Sequence, residues 1–174
     1  HDYIWDGVKR DRIVWVGDMH PEVATVKAVF GKDYSVTKSL DFIKEYTPAD
    51  KWMNGIVTYS MWWIIIQHDW YMHWGDYDYL SEQKEYLKEL AKNTINLVEN
   101  GLKVNEEGME GFVDWSSRYT KSEVEGRKTI ICIALNYAAK LLDILGEKEC
   151  AKKCIECVES LRAEKIDEES NKRI

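Results

Sequence analysis

Apolar residues along this chain recur at helical rather than alternating spacing, and the breaks between them fall at glycine, proline and capping residues. Pro21 suits a first helical turn, and Val23, Val26, Ala28 and Phe30 carry apolar surface from there to Gly31. Ser35 is the expected cap of a second helix with Val36, Leu40 and Ile43 inward, stopped before Pro48. After a loop at Trp52-Met53-Asn54-Gly55, a third helix is predicted from about Val57 to His73, ending near Gly75. Its segment Met61-Trp62-Trp63-Ile64-Ile65-Ile66 is apolar nearly all round, which requires neighbours on several sides. Asp76 to Leu80 reads as a turn, and Ser81, Lys84 and Glu85 open a fourth helix. That helix carries Tyr86, Leu87, Leu90, Thr94, Leu97 and Val98, with Gly101 as its stop. A polar stretch from Lys103 to Lys121 encloses Phe112-Val113-Asp114-Trp115. A fifth helix covers roughly Glu123 to Leu145, and a sixth begins near Glu147 and fades into the charged tail Ala163 to Ile174, expected to be frayed or disordered. No period-2 strand stands out. Six helices in consecutive hairpins predict an all-α chain, an α/α-hairpin array of the solenoid or toroid kind, forming a single domain over residues 1–174.

One segment obeys neither period. Residues 1–20 read as an acidic loop, and its centre, Asp6-Gly7-Val8-Lys9-Arg10-Asp11-Arg12-Ile13-Val14-Trp15-Val16-Gly17-Asp18, holds three carboxylates, two arginines, a lysine and a tryptophan. Connectors are usually rich in Gly, Ser or Pro and lack large apolar groups, so this composition marks either a functional loop or a solvated one with Trp15 tucked into the core.

Composition narrows the setting. With 174 residues, 45% hydrophobic and 32% charged, the chain is globular and large enough for one sizeable core. A net charge of −7 without a Lys/Arg run argues against a nucleic-acid partner, and no basic amphipathic stretch points to a membrane surface. The longest apolar run is far too short to span a bilayer. These features describe a soluble chain and fit a cytoplasmic or a periplasmic setting alike. The chain opens on His1-Asp2-Tyr3 without an initiator Met or a signal peptide, as expected of a processed product or an excised piece. Eight tryptophans and ten tyrosines fill an aromatic-rich core and leave some for a cleft that holds a sugar or another ring.

Metal chemistry finds little support. Cys150, Cys154 and Cys157 fall at i, i+4 and i+7, the spacing of a buried helical stripe of small hydrophobes, while Cys132 stands apart. His68 and His73 are separated by i+5, about 140° around a helix, whereas zinc-binding histidines on one helix sit at i, i+4. No phosphate-binding glycine loop and no nucleophile elbow occurs, so neither metal nor cofactor is expected. Asp114 beside Trp115 pairs a carboxylate with an aromatic face, a combination suited to gripping a sugar.

The spacing Asp6-x-x-x-Arg10-Asp11-Arg12-x-x-Trp15-x-Gly17-Asp18 resembles the signature of α-L-rhamnosidases, the family 78 glycoside hydrolases. Trp62-Trp63, the turn Gly75-Asp76-Tyr77-Asp78-Tyr79-Leu80 and the Asp114-Trp115 loop also resemble the family's catalytic domain, and the likeness runs over nearly the whole chain. The resemblance implies an (α/α)6 toroid of twelve helices working as an inverting hydrolase on terminal α-L-rhamnosyl residues of glycosides or oligosaccharides. Six helices would make about its N-terminal half. It further implies a partner for the exposed face: the C-terminal half of a toroid, or a second copy through self-association.

An inverting glycosidase needs one carboxyl to protonate the leaving oxygen and a carboxylate to activate water, roughly 6.5–9.5 Å apart across the sugar. By resemblance, Asp11 takes the place of the general acid. Asp6 and Asp18 match acids that hold sugar hydroxyls, and Arg10 matches a residue lining the same pocket. Trp15, Trp52 and Trp115 are substrate-binding walls, with Asp114 beside them. An aromatic wall suits the methyl group that rhamnose carries in place of a hydroxymethyl. The family pattern has Glu where this chain has Asp11, and a displacement on the order of 1 Å costs about a hundredfold in rate. The family's general base comes from a downstream glutamate that no residue here matches. Alternatives from other classes are another toroid glycosidase or lyase, and a non-catalytic carbohydrate-binding helical module.

Overall fold

The computed structural model describes residues 2–7 and 9–171, with side chains as far as Ala163. Among the described residues it is all-helical, with no strand beyond one isolated antiparallel bridge between Asp6 and Ile13. Seven α-helices follow in order: α1 (Met19–Val29), α2 (Tyr34–Tyr46), α3 (Val57–Trp74), α4 (Tyr77–Glu82), α5 (Lys84–Glu99), α6 (Lys121–Ile144) and α7 (Lys148–Asn171).

The central element is α3, where twelve of eighteen residues are buried, as its unbroken apolar run requires. Trp63 and Trp70 are almost wholly enclosed, and the Trp63 indole donates to the carbonyl of Leu40 in α2 at 3.1 Å. α3 packs on α1 and α6, and α6 in turn on α5 and α7. Gly75 ends α3 with φ 64°, a left-handed cap that glycine takes without a Cβ penalty.

Three boundaries depart from the sequence reading. The cap of α2 is Asp33, not Ser35: its carboxylate accepts from the Ser35 amide at 2.8 Å, and aspartate serves there as well as serine. The predicted turn at Asp76–Leu80 is instead the start of α4. Asp76 accepts from the Tyr79 amide at 3.2 Å and pairs with Lys32 at 2.7 Å, so the acid that suggested a turn is a helix cap. Only Gln83 separates α4 from α5, and its buried amide bonds Lys44 and Asp41 of α2. The tail expected to fray from Ala163 continues as helix to Asn171, while positions 172–174 lie outside the described residues. On α7, Cys154 and Cys157 are buried and Cys150 packs against the core, the stripe that the i, i+4, i+7 spacing predicts. Burial pushes the Cys154 thiol up to about 12, with Cys157 and Cys150 adding to the rise, which makes it inert at neutral pH.

No helix among the described residues is long and apolar enough to cross a membrane.

Candidate functional site

The acidic loop is built by a few backbone constraints. The Asp6 amide donates to the Ile13 carbonyl at 3.2 Å, and between them the Gly7 carbonyl accepts from the Arg10 and Asp11 amides. Val14 and Val16 alternate into the core. Asn54, itself at φ 54°, holds this stretch: its amide donates to the Val14 carbonyl at 3.1 Å and its oxygen accepts from the Val16 amide at 3.2 Å. Between the buried Val14 and Val16, Trp15 is half-buried and meets Tyr59 at 6.0 Å in a T-shaped contact.

The loop ends at Asp18, just before α1. Its carboxylate leaves the helix amides alone and instead accepts from the Tyr59 hydroxyl at 3.1 Å. That approach depends on Gly17, because a Cβ there would sit 2.2 Å from the Tyr59 ring.

A cavity of about 460 Å³ opens beside this loop, within the range of small-molecule sites. Asp6, Arg10, Asp11, Trp15 and Asp18 line one side of it. Residues from the α5–α6 connection, Met109, Phe112, Val113, Asp114 and Trp115, line the other, with Ile56, Tyr59 and Trp62 contributed from the start of α3 and just before it. Seven of the eight residues singled out in the sequence thus border one space. Trp52 does not: its indole donates to Glu110 Oε1 at 3.1 Å and ties the α5–α6 connection down.

Charge within the site is uneven. Asp11 accepts from Arg10 Nε at 3.1 Å and from the Trp15 indole at 3.3 Å. Asp18 opens to the cavity, yet partial burial of its carboxyl raises its pKa; the Tyr59 hydrogen bond opposes this rise and Asp6 adds to it. The Tyr59 hydroxyl moves above its ordinary value through burial and the neighbouring Asp18 charge. Asp114 lines the cavity with Trp115, as the sequence suggests, and is also engaged locally. Its carboxylate accepts from both the amides and the hydroxyls of Ser116 and Ser117, bonds that hold its pKa below the ordinary value. It shapes the turn carrying Trp115 rather than presenting an unengaged carboxylate.

The α5–α6 connection is clamped from both sides. Thr58 Oγ1 donates to the Phe112 carbonyl at 2.8 Å, and the Val57 amide to the Glu110 carbonyl at 3.0 Å. From α6, Arg127 is 1% exposed and donates to the Gly111 carbonyl at 2.7 Å and to Glu106 at 2.6 Å. A Cβ on Gly111 would lie 2.0 Å from the guanidinium, so only glycine admits it. Glu123, 3% exposed, accepts from Arg118 at 3.1 Å and from the Tyr119 amide at 2.8 Å.

Several contributors escape the sequence reading as site residues. Tyr59 and Trp62 lie three apart on α3 and share a face. The Trp62-Trp63 pair carried a usable signal, since neighbours on a helix point about 100° apart and only one can enter the same core. Glu22, one turn beyond Asp18, is a further acid: its Oε2 is buried without a partner, and burial raises its pKa with help from Asp6 and Asp18. Nothing local in the sequence marks it. His68, doubtful as a metal ligand, stacks on Tyr137 at 3.7 Å and shares Asp69 with His20, each ring nitrogen 3.0 Å from one carboxylate oxygen. Burial works against the Asp69 carboxylate, but the bonds from His68 and His20 outweigh it and lower its pKa. Among the described residues no group of three or more His, Cys, Asp or Glu is arranged to hold a metal ion.

Comparison with protein-family models, with curated proteins and with solved structures finds no match.

Proposed function

We propose that this chain is the sugar-binding part of an α-L-rhamnosidase-like hydrolase, arranged as about half of an (α/α)6 toroid. The observation that carries the reading is convergence. The spaced acids and bases of residues 6–18 meet Trp115, nearly a hundred positions away, across one cavity of about 460 Å³. The resemblance that singled out these residues knew nothing of their distance. Within this reading, Asp6, Arg10 and Asp18 hold sugar hydroxyls, Trp15 and Trp62 form apolar walls, and a carboxyl of the acidic loop protonates the leaving oxygen. The reaction breaks the glycosidic C–O bond, water supplies the new hydroxyl from the opposite face, and the leaving oxygen takes the carboxyl proton. The carboxylate that activates water comes from outside the residues matched here: the complementary half of a toroid, or a second copy.

Two carboxyls compete for the acid role. The resemblance favours Asp11. The environment favours Asp18, whose pKa is raised, because a proton donor must still hold its proton at working pH. Hydrolysis of an aryl α-L-rhamnoside by the purified chain, with Asp11→Asn and Asp18→Asn alongside, separates them. Asp11→Asn abolishing turnover, while Asp18→Asn retains part of it, assigns the acid to Asp11; the reverse assigns it to Asp18. Rhamnoside binding without turnover means that the second carboxylate must be supplied. Absence of both binding and turnover sinks the glycosidase reading.

A further inference from the structure

The three acids of residues 6–18 are held in different ways. Asp11 engages both of its oxygens, Oδ1 with Arg10 Nε and Oδ2 with the Trp15 indole. Asp6 turns Oδ1 onto the neighbouring Gly7 amide at 2.7 Å. Asp18 is held from outside the segment. The Tyr59 hydroxyl donates to its Oδ2 at 3.1 Å, and among the described residues no donor reaches its Oδ1.

The placement of that hydroxyl is tightly determined. Tyr59 lies in the first turn of α3 and is 8% exposed, yet it borders the cavity. Its ring meets Trp15 edge-on on one side and lies hard against Gly17 on another, where no Cβ fits. With the ring fixed, the hydroxyl oxygen is fixed too, and it meets an acid that opens to the cavity. Tyr86 on α5 shows the purely structural use of such a group: its hydroxyl donates to the Thr47 carbonyl at 2.9 Å, away from the cavity.

Building on the rhamnosidase-like reading above, we infer that Tyr59 is a positioning residue. Its hydroxyl pins one oxygen of Asp18 and so leaves the other to accept from a sugar hydroxyl. Accepting requires the charged form. Burial raises the Asp18 pKa, and the Tyr59 bond favours the carboxylate and opposes that rise.

The test reads binding of methyl 1-thio-α-L-rhamnoside, whose sulfur link resists hydrolysis, by calorimetry from neutral pH down through the carboxylate range. The wild type is expected to lose affinity as Asp18 takes up its proton. Tyr59→Phe keeps the ring and removes only the hydroxyl. It is expected to weaken binding at neutral pH about threefold to tenfold, the effect of one lost hydrogen bond. The midpoint of the acid loss should also move to higher pH, because burial then acts unopposed. 3-Fluorotyrosine at position 59, a stronger donor, should move the midpoint to lower pH. Tyr86→Phe makes the same chemical change elsewhere and should move neither affinity nor midpoint; circular dichroism checks that each variant folds. An affinity or a midpoint that Tyr59→Phe leaves unmoved, or that Tyr86→Phe moves as far, overturns the positioning role while rhamnoside binding still stands. A midpoint that falls in Tyr59→Phe does the same. Should Tyr59→Phe not fold, the fluorinated chain decides, and a midpoint that does not fall overturns the role. Absence of rhamnoside binding by the wild type overturns the rhamnosidase-like reading and this inference together.

Discussion

The two walls of the cavity use the same residue types to opposite ends. Residues 6–18 carry acids and bases that stay near the surface: Arg10 and Asp11 form an ion pair with side chains 77% and 31% exposed. The α5–α6 connection and the start of α6 also carry acids and arginines, but there they are folded inward. Arg118 and Glu123 pair with side chains only 8% and 3% exposed. One wall leaves its charge at the cavity, and the other commits its charge to its own shape and leaves an apolar face there. Charge in a loop is therefore no guide to function until its partners are known. Asp114 is the instructive residue, a cavity-lining acid whose carboxylate also holds the turn through bonds from two serines.

Breaking this comparison should be most visible in stability. Glu123→Ala removes the acceptor of Arg118 and of the Tyr119 amide and is expected to be the larger loss. Asp11→Ala, in the exposed pair, should change stability by no more than about 0.5 kcal/mol. Denaturant midpoints measure both; equal losses would mean that the two walls are not differently built.

A smaller effect is expected where the acidic wall meets α3. Gly17→Ala places a methyl group 2.2 Å from the Tyr59 ring, and such overpacking costs roughly 1–3 kcal/mol. Trimming the ring with Tyr59→Leu should relieve part of that cost, so the double variant is less destabilised than the two losses added. Strict additivity would show that the contact does not govern the packing.

The smallest effect sharpens the electrostatic side. Glu22 has a raised pKa, so the folded chain holds a proton over a range in which the unfolded chain, near 4.5, has lost it. The group therefore subtracts stability as pH climbs through that range. Glu22→Gln is expected to stabilise slightly at neutral pH, with the difference closing as the pH falls below about 4.5, read from melting temperatures along a pH series. A gain that is independent of pH would show that Glu22 acts through packing instead.

Helix spacing made most of the fold legible. The apolar run of α3, the stripe on α7 and the glycine stops reflect local periodicity, which a linear sequence displays directly. The short α4 was hidden because an Asp-led cap and an Asp-led turn look alike until the following amides are placed. Within the site, the acidic loop stood out because its residues lie close together in sequence. Tyr59 and Met109 did not, since each reaches the site through tertiary placement alone. Trp52 shows the converse, an aromatic group near the right stretch whose indole is taken by Glu110.

The carboxylate that His20 and His68 share fastens the start of α1 to the central helix only two residues beyond Asp18. Asn54 fixes the stretch from Val14 to Val16 ahead of it, and the bridge from Asp6 to Ile13 closes the far end. The turn between, which carries Arg10 and Asp11, hangs mainly from these anchors, its own side chains adding only the bond that Asp11 accepts from the Trp15 indole. It is an exchangeable cartridge: Lys9, Arg10 and Arg12 can be swapped there with Asp18, Trp15 and the helical frame left in register.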